Sequence, residues 1–273
     1  MNGSVWMKQL IITSIVFVVL IAVYVIVSII NKKKGRKNVV LRVLFIVTEI
    51  PVTAVLAFLI YTAFYYHADP SVQEYLVSDA NVTVENEPDW YFFDGAGEGT
   101  ALIFYPGAKV EYTAYAPLMK KAAESGIDCF LVRMPLSVAF LDPRCADRIK
   151  EQYNYDKWYI AGHSLGGAVA AMYCETPGNM DGLIMLAAYS IVRLPTELET
   201  CAIYGSRDGC LNLDKFNECR KNLPADAGIL TIEGGNHAGF GCYGPQDGDM
   251  PSDITAEEQQ KITVDLILNF IGN

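Results

Sequence analysis

The chain has 273 residues, of which 52% are hydrophobic and 19% charged, with a formal net charge of −10. That length accommodates a membrane anchor and one core-bearing domain, and the acidic balance argues against nucleic acid as a partner. The charge is uneven: residues 1–67 carry 7 basic side chains and one acid, whereas residues 68–273 carry 14 basic and 30 acidic ones.

In chain order, residues 10–30 come first as an uncharged apolar run, long enough as a helix to cross a hydrocarbon core of roughly 30 Å. A cleaved signal peptide has a shorter apolar stretch and a small-residue cleavage site, which Ser28-Ile29-Ile30-Asn31 does not offer. A core helix would have a polar face, and this run has none. Residues 43–66 form a second candidate span. Glu49 and Pro51 interrupt it near its start, with Glu49 expected to snorkel to the interface or face the first helix, and Tyr61, Tyr65 and Tyr66 cluster at its far end as interfacial aromatics do. The linker 31–42 holds Lys32, Lys33, Lys34, Arg36, Lys37 and Arg42, which the positive-inside rule places in the cytoplasm. Two spans put everything after the second outside the cytoplasm. A single span would leave it inside, beside a polybasic stretch on the membrane. We adopt the two-span arrangement, with 1–67 as a bilayer anchor and 68–273 as one catalytic domain.

That domain alternates strand-like and helix-like segments, with strands near residues 101, 128, 158, 183, 201 and 229. The alternation predicts an α/β fold with a doubly wound, mostly parallel sheet. Ala101-Leu102-Ile103-Phe104-Tyr105 reads as an inner strand, followed by the loop Pro106-Gly107-Ala108-Lys109 and a helical pattern over 114–125. After the strand at 128–132, residues 134–141 are apolar and serve either as the wall of a site or as a core-packing connection. The strand at 157–161 runs into Gly162-His163-Ser164-Leu165-Gly166, and small residues over 167–174 let a helix pack closely behind it. Only residues 188–199 separate the strand at 182–186 from the next one, which predicts a fold without a large lid. Strands near 200 and 228 then lead into Asp208 and into Gly234-Gly235-Asn236-His237-Ala238-Gly239-Phe240-Gly241, and an amphipathic helix after Ser252 closes the fold.

The Gly-x-Ser-x-Gly pattern at 162–166 lies between a strand and a helix, where a sharp turn thrusts a serine hydroxyl above the sheet and leaves no room for side chains two residues either side. Five residues alone would match by chance in many proteins; the place of the motif gives it weight. Three histidines exist in the chain. His67 ends the anchor and His163 is directed elsewhere by its place beside the serine, which leaves His237 as the base. Asp208, on a turn after a strand and between Ser164 and His237 in sequence, fits the acid that orients the imidazole. Glu233 is too near His237 in sequence, and Asp214 begins a helix, so both are weaker candidates. For the oxyanion, Leu165 offers one N–H and the 106–109 loop the other, from Ala108 with Lys109 as the nearest rival.

From about Asp89 onward the chain resembles the α/β-hydrolase superfamily. Tyr105-Pro106-Gly107-Ala108-Lys109-Val110-Glu111, Ala114-Tyr115-Ala116-Pro117-Leu118, Gly234-Gly235-Asn236-His237 and Tyr243-Gly244-Pro245-Gln246 resemble, more narrowly, a small bacterial branch of membrane-anchored hydrolases. The resemblance implies Ser164 as nucleophile, Asp208 as acid and His237 as base. The expected activity is that of a carboxylesterase-type serine hydrolase on a small-molecule or polymer acyl substrate, without metal or organic cofactor. Acyl transfer with the same triad, or a catalytically silent binding module, are the alternatives. Of seven cysteines, Cys210 and Cys242 each follow a catalytic loop and could staple the two together, while Cys129 and Cys174 are expected as buried thiols.

Overall fold

The computed structural model describes residues 3–33, 39–97 and 99–272, and the chain divides into two compact units, Met1–Phe64 and Tyr65–Asn273. The first unit is a pair of helices, α1 (Gly3–Lys33) and α2 (Val39–Ala63), that pack on each other. Within them, Ile11–Lys33 and Arg42–Ala63 are long and apolar enough to cross a membrane. Tyr24 stacks on Phe45 between the two helices, with ring centroids 3.9 Å apart, while Ile12, Val18, Val40 and Ile50 are exposed. Pro51 lies inside α2, which continues through it. Glu49 does not snorkel: it is buried, and its carboxylate oxygens have no hydrogen-bond partner among the described residues. Lys34, Arg36 and Lys37 of the basic linker lie outside the described residues.

The helix of the second candidate span ends three residues earlier than residue 66, at Ala63. Tyr66 leaves the helix because its backbone is used elsewhere: its N–H donates to the Lys109 carbonyl at 2.7 Å and its carbonyl accepts from the Glu111 N–H at 2.8 Å.

The second unit is built on an eight-stranded sheet. Its strands are β1 (Thr83–Asn86), β2 (Trp90–Asp94), β3 (Thr100–Tyr105), β4 (Asp128–Val132), β5 (Lys157–His163), β6 (Gly182–Leu186), β7 (Glu199–Gly205) and β8 (Gly228–Ile232), in the spatial order β1-β2-β4-β3-β5-β6-β7-β8. The last six strands run parallel, matching the six predicted, whereas β1 and β2 add an antiparallel edge. β3 and β4 are buried along almost their whole length, as parallel strands covered on both faces must be.

Side-chain alternation along β3 feeds two cores. Leu102 and Phe104 pack with helices α3 (Ala116–Glu124) and α7 (Ala256–Ile271), and Ala101, Ile103 and Tyr105 pack on the other face with α4 (Cys145–Gln152) and α5 (Leu165–Tyr173). Thr255 and Glu258 start α7 with a reciprocal capping box. A short α6 (Leu213–Cys219) follows β7, capped by Asn212, with Asp214 in its first turn. Because the chain passes from β3 to β4 on one side and then to β5 on the other, the connections after β3 and β5 diverge and leave a crevice at the carboxyl ends of these strands. Residues 187–198, from β6 to β7, contain no helix or strand, as expected of a fold without a large lid.

Candidate active site

Ser164 sits between β5 and α5 with φ 52° and ψ −121°, a left-handed conformation that costs a non-glycine residue of order 1–3 kcal/mol. The surrounding contacts enforce it. The Ser164 N–H donates to the Leu186 carbonyl at 2.9 Å, and α5 presses so closely on β3 that a Cβ on Gly166 would stand 2.2 Å from the Tyr105 carbonyl oxygen. A Cβ on Gly162 would likewise stand 2.5 Å from the Gly166 carbonyl carbon. The motif's two glycines are thus required by the packing of backbone on backbone.

Asp208 lies after β7 and His237 after β8, both at the carboxyl edge of the sheet and both buried. His237 Nδ1 is 3.0 and 3.1 Å from the two Asp208 carboxylate oxygens. The N–H groups of Cys210 and Leu211 donate to Asp208 Oδ1 at 2.9 and 2.7 Å, so the turn itself fixes the carboxylate. With Nδ1–H donating to Asp208, the Nε2 lone pair of His237 is left as a base. Gln259, fully buried on α7, holds the loop on the other side: its Oε1 accepts from the Asn236 N–H at 2.9 Å and its Nε2 donates to the Asn236 carbonyl at 2.8 Å. Ser164 is half-buried, and its hydroxyl makes no hydrogen bond among the described residues. The structure therefore joins Asp208 to His237 directly, with the serine on the adjoining turn.

The two weaker acids are occupied elsewhere. Glu233 accepts from the Ser206 hydroxyl at 3.1 Å, and Asp214 belongs to α6.

In the loop after β3, the N–H groups divide. Gly107 donates to the Tyr115 hydroxyl at 3.2 Å, Lys109 to the Ser137 carbonyl at 2.8 Å, and Val110 to the Gly107 carbonyl at 3.4 Å. Ala108 N–H has no acceptor among the described residues, which separates it from its rival Lys109. Leu165, as the first residue of α5, has no intrahelical acceptor for its N–H. The segment at 134–141 forms two tight turns, Pro135–Ser137 and Ala139–Leu141, with Phe140 and Leu141 half-exposed, and borders the loop through the Ser137 carbonyl.

His163 points inward against His237, a placement that its position in the sequence does not indicate. It is fully buried, its ring centroid lies 4.5 Å from that of His237, and its Nδ1 is 2.8 Å from the Tyr115 hydroxyl. That hydroxyl accepts from Gly107, and turning its own proton toward His163 Nδ1 would leave the neutral imidazole its hydrogen on Nε2, an atom without a hydrogen-bond partner among the described residues. Burial, followed by the nearby His237, pushes the His163 pKa well below the ordinary imidazole value. His67 is far more exposed and pairs with Glu111 at 3.4 Å.

All seven cysteines are free thiols, so the staple between Cys210 and Cys242 is not formed. Each sulfur has its own partner: Gln246 Nε2 lies 3.3 Å from Cys210 Sγ and Gln260 Nε2 lies 3.2 Å from Cys242 Sγ. Cys129 and Cys174 are buried, as expected. Among the described residues no cluster of His, Cys, Asp and Glu suits a metal ion. A cleft of about 570 Å³ lies behind the histidine loop, lined by Asn236, Ala238, Gly239, Cys242 and Met250, and does not include Ser164.

The model of the alpha/beta hydrolase family matches residues 101–261, which contain every one of these candidate positions. Among solved structures, TT1662 from Thermus thermophilus superposes with a TM-score of 0.53 at 13% identity, over 71% of this chain and 99% of that one. MGS-MChE2, an alpha/beta hydrolase from the metagenome of lagoon sediments of Mar Chica, Morocco, gives 0.53 at 15% identity, over 69% and 97%. Esterase 2 of Thermogutta terrifontis, phosphoramylated by tabun, gives 0.50 at 14% identity, over 72% and 97%. At such identities the likeness is one of fold. No match was found among curated proteins.

Proposed function

Because the chain belongs to the α/β-hydrolase family, we propose that it is a membrane-anchored serine hydrolase of carboxylesterase type, with Ser164, His237 and Asp208 as its triad. The observation that carries this reading is the buried Asp208–His237 pair at 3.0 Å, set at the same sheet edge as a serine held in a strained elbow. The tabun-modified esterase 2 of Thermogutta terrifontis, similar in fold, supports the same class of chemistry.

In this mechanism His237 Nε2 takes the Ser164 proton as Oγ bonds to the acyl carbon. Charge developing on the carbonyl oxygen meets the N–H groups of Leu165 and Ala108. The bond to the leaving alcohol breaks as the imidazolium returns the proton to it, and Asp208 stabilises that cation throughout. Water, deprotonated by the same His237, then attacks the acyl-enzyme; the acid leaves and Ser164 regains its proton. His163 and Tyr115 take no part in proton transfer.

Residues 1–67 would anchor the protein through two spans, placing the catalytic domain 68–273 outside the cytoplasm. Protease added to intact cells should then degrade the domain; protection until lysis would refute that orientation. For the chemistry, fluorophosphonate labelling of the detergent-solubilised protein should be lost in Ser164→Ala and His237→Ala. A folded wild type that takes no label would overturn the serine mechanism.

A further inference from the structure

The carboxylate of Asp249 spans the two loops that carry the acid and the base. Its Oδ1 accepts the N–H of Gly209, the residue directly after Asp208, at 2.9 Å, and also that of Met250 at 2.9 Å. Its Oδ2 accepts the N–H of Ala238, the residue directly after His237, at 2.9 Å. Hydrogen bonds to an ionised acceptor are roughly twice as strong as neutral ones, so one side chain ties both loops firmly. The rest of its segment closes on the same two loops. Asn236 Nδ2 donates to the Met250 carbonyl at 2.8 Å, and a Cβ on Gly209 would stand 2.6 Å from the Gly248 carbonyl oxygen.

The bonds from Cys210 and Leu211 orient the Asp208 carboxylate within its own turn, but nothing in them sets the distance from that turn to the histidine loop. The close backbone approach of Gly205 to Gly235 fixes the roots of the two loops, where a Cβ would stand 2.2 Å from the Gly235 carbonyl oxygen. Asp249 fixes them beyond the catalytic side chains. We propose that Asp249 is a positioning residue that holds Asp208 and His237 in register; the proposal rests on the serine-hydrolase reading of this site. Displacement of a catalytic group by about 1 Å can cost about 100-fold in rate, so a flexible junction would be felt in turnover.

The test compares Asp249→Ala and Asp249→Asn with wild type in the full-length, detergent-solubilised protein, with exposed Asp247→Asn as a control in the same segment. Fluorophosphonate labelling and ester turnover should fall about 10- to 100-fold in the alanine variant, through kcat with KM unchanged, and less in the asparagine variant, whose amide oxygen retains an acceptor. Independently of activity, the low-field proton resonance of His237 Nδ1–H should weaken in both, and Asp247→Asn should match wild type. A folded alanine variant with wild-type labelling and resonance would overturn the proposal; if that variant does not fold, the same result in Asp249→Asn would. Should wild type take no label while the resonance still depends on Asp249, the hydrolase reading fails and the positioning role stands.

Discussion

The imidazole of His163 lies against that of His237, with ring centroids 4.5 Å apart and planes inclined at 52°. The proposed base thus rests on a second histidine that burial keeps neutral. In the unfolded chain His163 would bind a proton near pH 6.5, whereas in the folded protein it does so only well below that. The unfolded state therefore holds more protons in this window, and stability falls as pH drops below about 6.5, by up to about 1.4 kcal/mol per pH unit. Urea unfolding of His163→Gln should show a shallower pH dependence than wild type between about pH 5 and about pH 6.5. Equal slopes would mean that His163 is protonated in the native protein.

Tyr115 is the residue through which the loop after β3 communicates with the elbow. Its hydroxyl accepts from Gly107 and hydrogen-bonds with His163 Nδ1, all three groups being buried. Tyr115→Phe keeps the ring contacts with Phe104 and Tyr243 but leaves the Gly107 N–H and His163 Nδ1 unpaired. A buried group deprived of its partner costs about 1–3 kcal/mol, so the melting temperature should drop measurably. Because Ala108 follows Gly107, kcat on a short-chain ester should also fall by about tenfold, with KM little changed. Loss of stability without any loss of kcat would make Tyr115 purely structural.

The assignment of the acid separates two carboxylates near the same histidine. Asp208→Asn should lower kcat by about 10⁴, because the amide favours the wrong imidazole tautomer while the shape of the site survives. Glu233→Gln should leave kcat unchanged, since Glu233 only accepts from exposed Ser206. The reverse pattern in steady-state kinetics would transfer the acid role to Glu233.

How far these features were legible in the sequence depends on how local their causes are. The six parallel strands announce themselves as apolar runs, and Ser164, Asp208 and His237 stand on turns that follow such runs. The antiparallel edge is harder to read: Thr83–Asn86 is mostly exposed, only Glu87-Pro88-Asp89 separates it from β2, and the aromatic run Trp90-Tyr91-Phe92-Phe93 stands outside the strand–helix alternation that marks the other six. From sequence His163 reads as directed elsewhere by its place beside the nucleophile, yet its ring packs on that of His237. Gln259 belongs to the amphipathic pattern of α7, and Asp249 sits in a loop without a motif. Their roles come from pairings across 23 and 11 residues or more, which no local pattern encodes. Cys210 and Cys242 failed in the opposite sense: each is placed beside a functional loop, but their glutamine partners hold them separately.

The glycines of the elbow give the sharpest test of the packing. Adding a methyl group at 166 would set carbon 2.2 Å from the Tyr105 carbonyl oxygen and 2.4 Å from that of Pro106, both backbone atoms that no rotamer change can move. Gly166→Ala must therefore push α5 away from the end of β3, the strand that leads into the proposed oxyanion loop. Overpacking of this kind costs about 1–3 kcal/mol, and here it falls between the helix that Leu165 begins and the strand that leads to Ala108. The expected result is a protein with a lowered melting temperature and a fluorophosphonate labelling rate reduced by about 100-fold or more, as the two N–H groups no longer converge. Gly178→Ala is the control: it strains a glycine with positive φ, unlike Gly166, but nothing lies within 4 Å of the added carbon. That variant should lose about 1 kcal/mol from backbone strain and label at the wild-type rate. Equal labelling by both variants would show that the spacing of α5 and β3 does not govern the site.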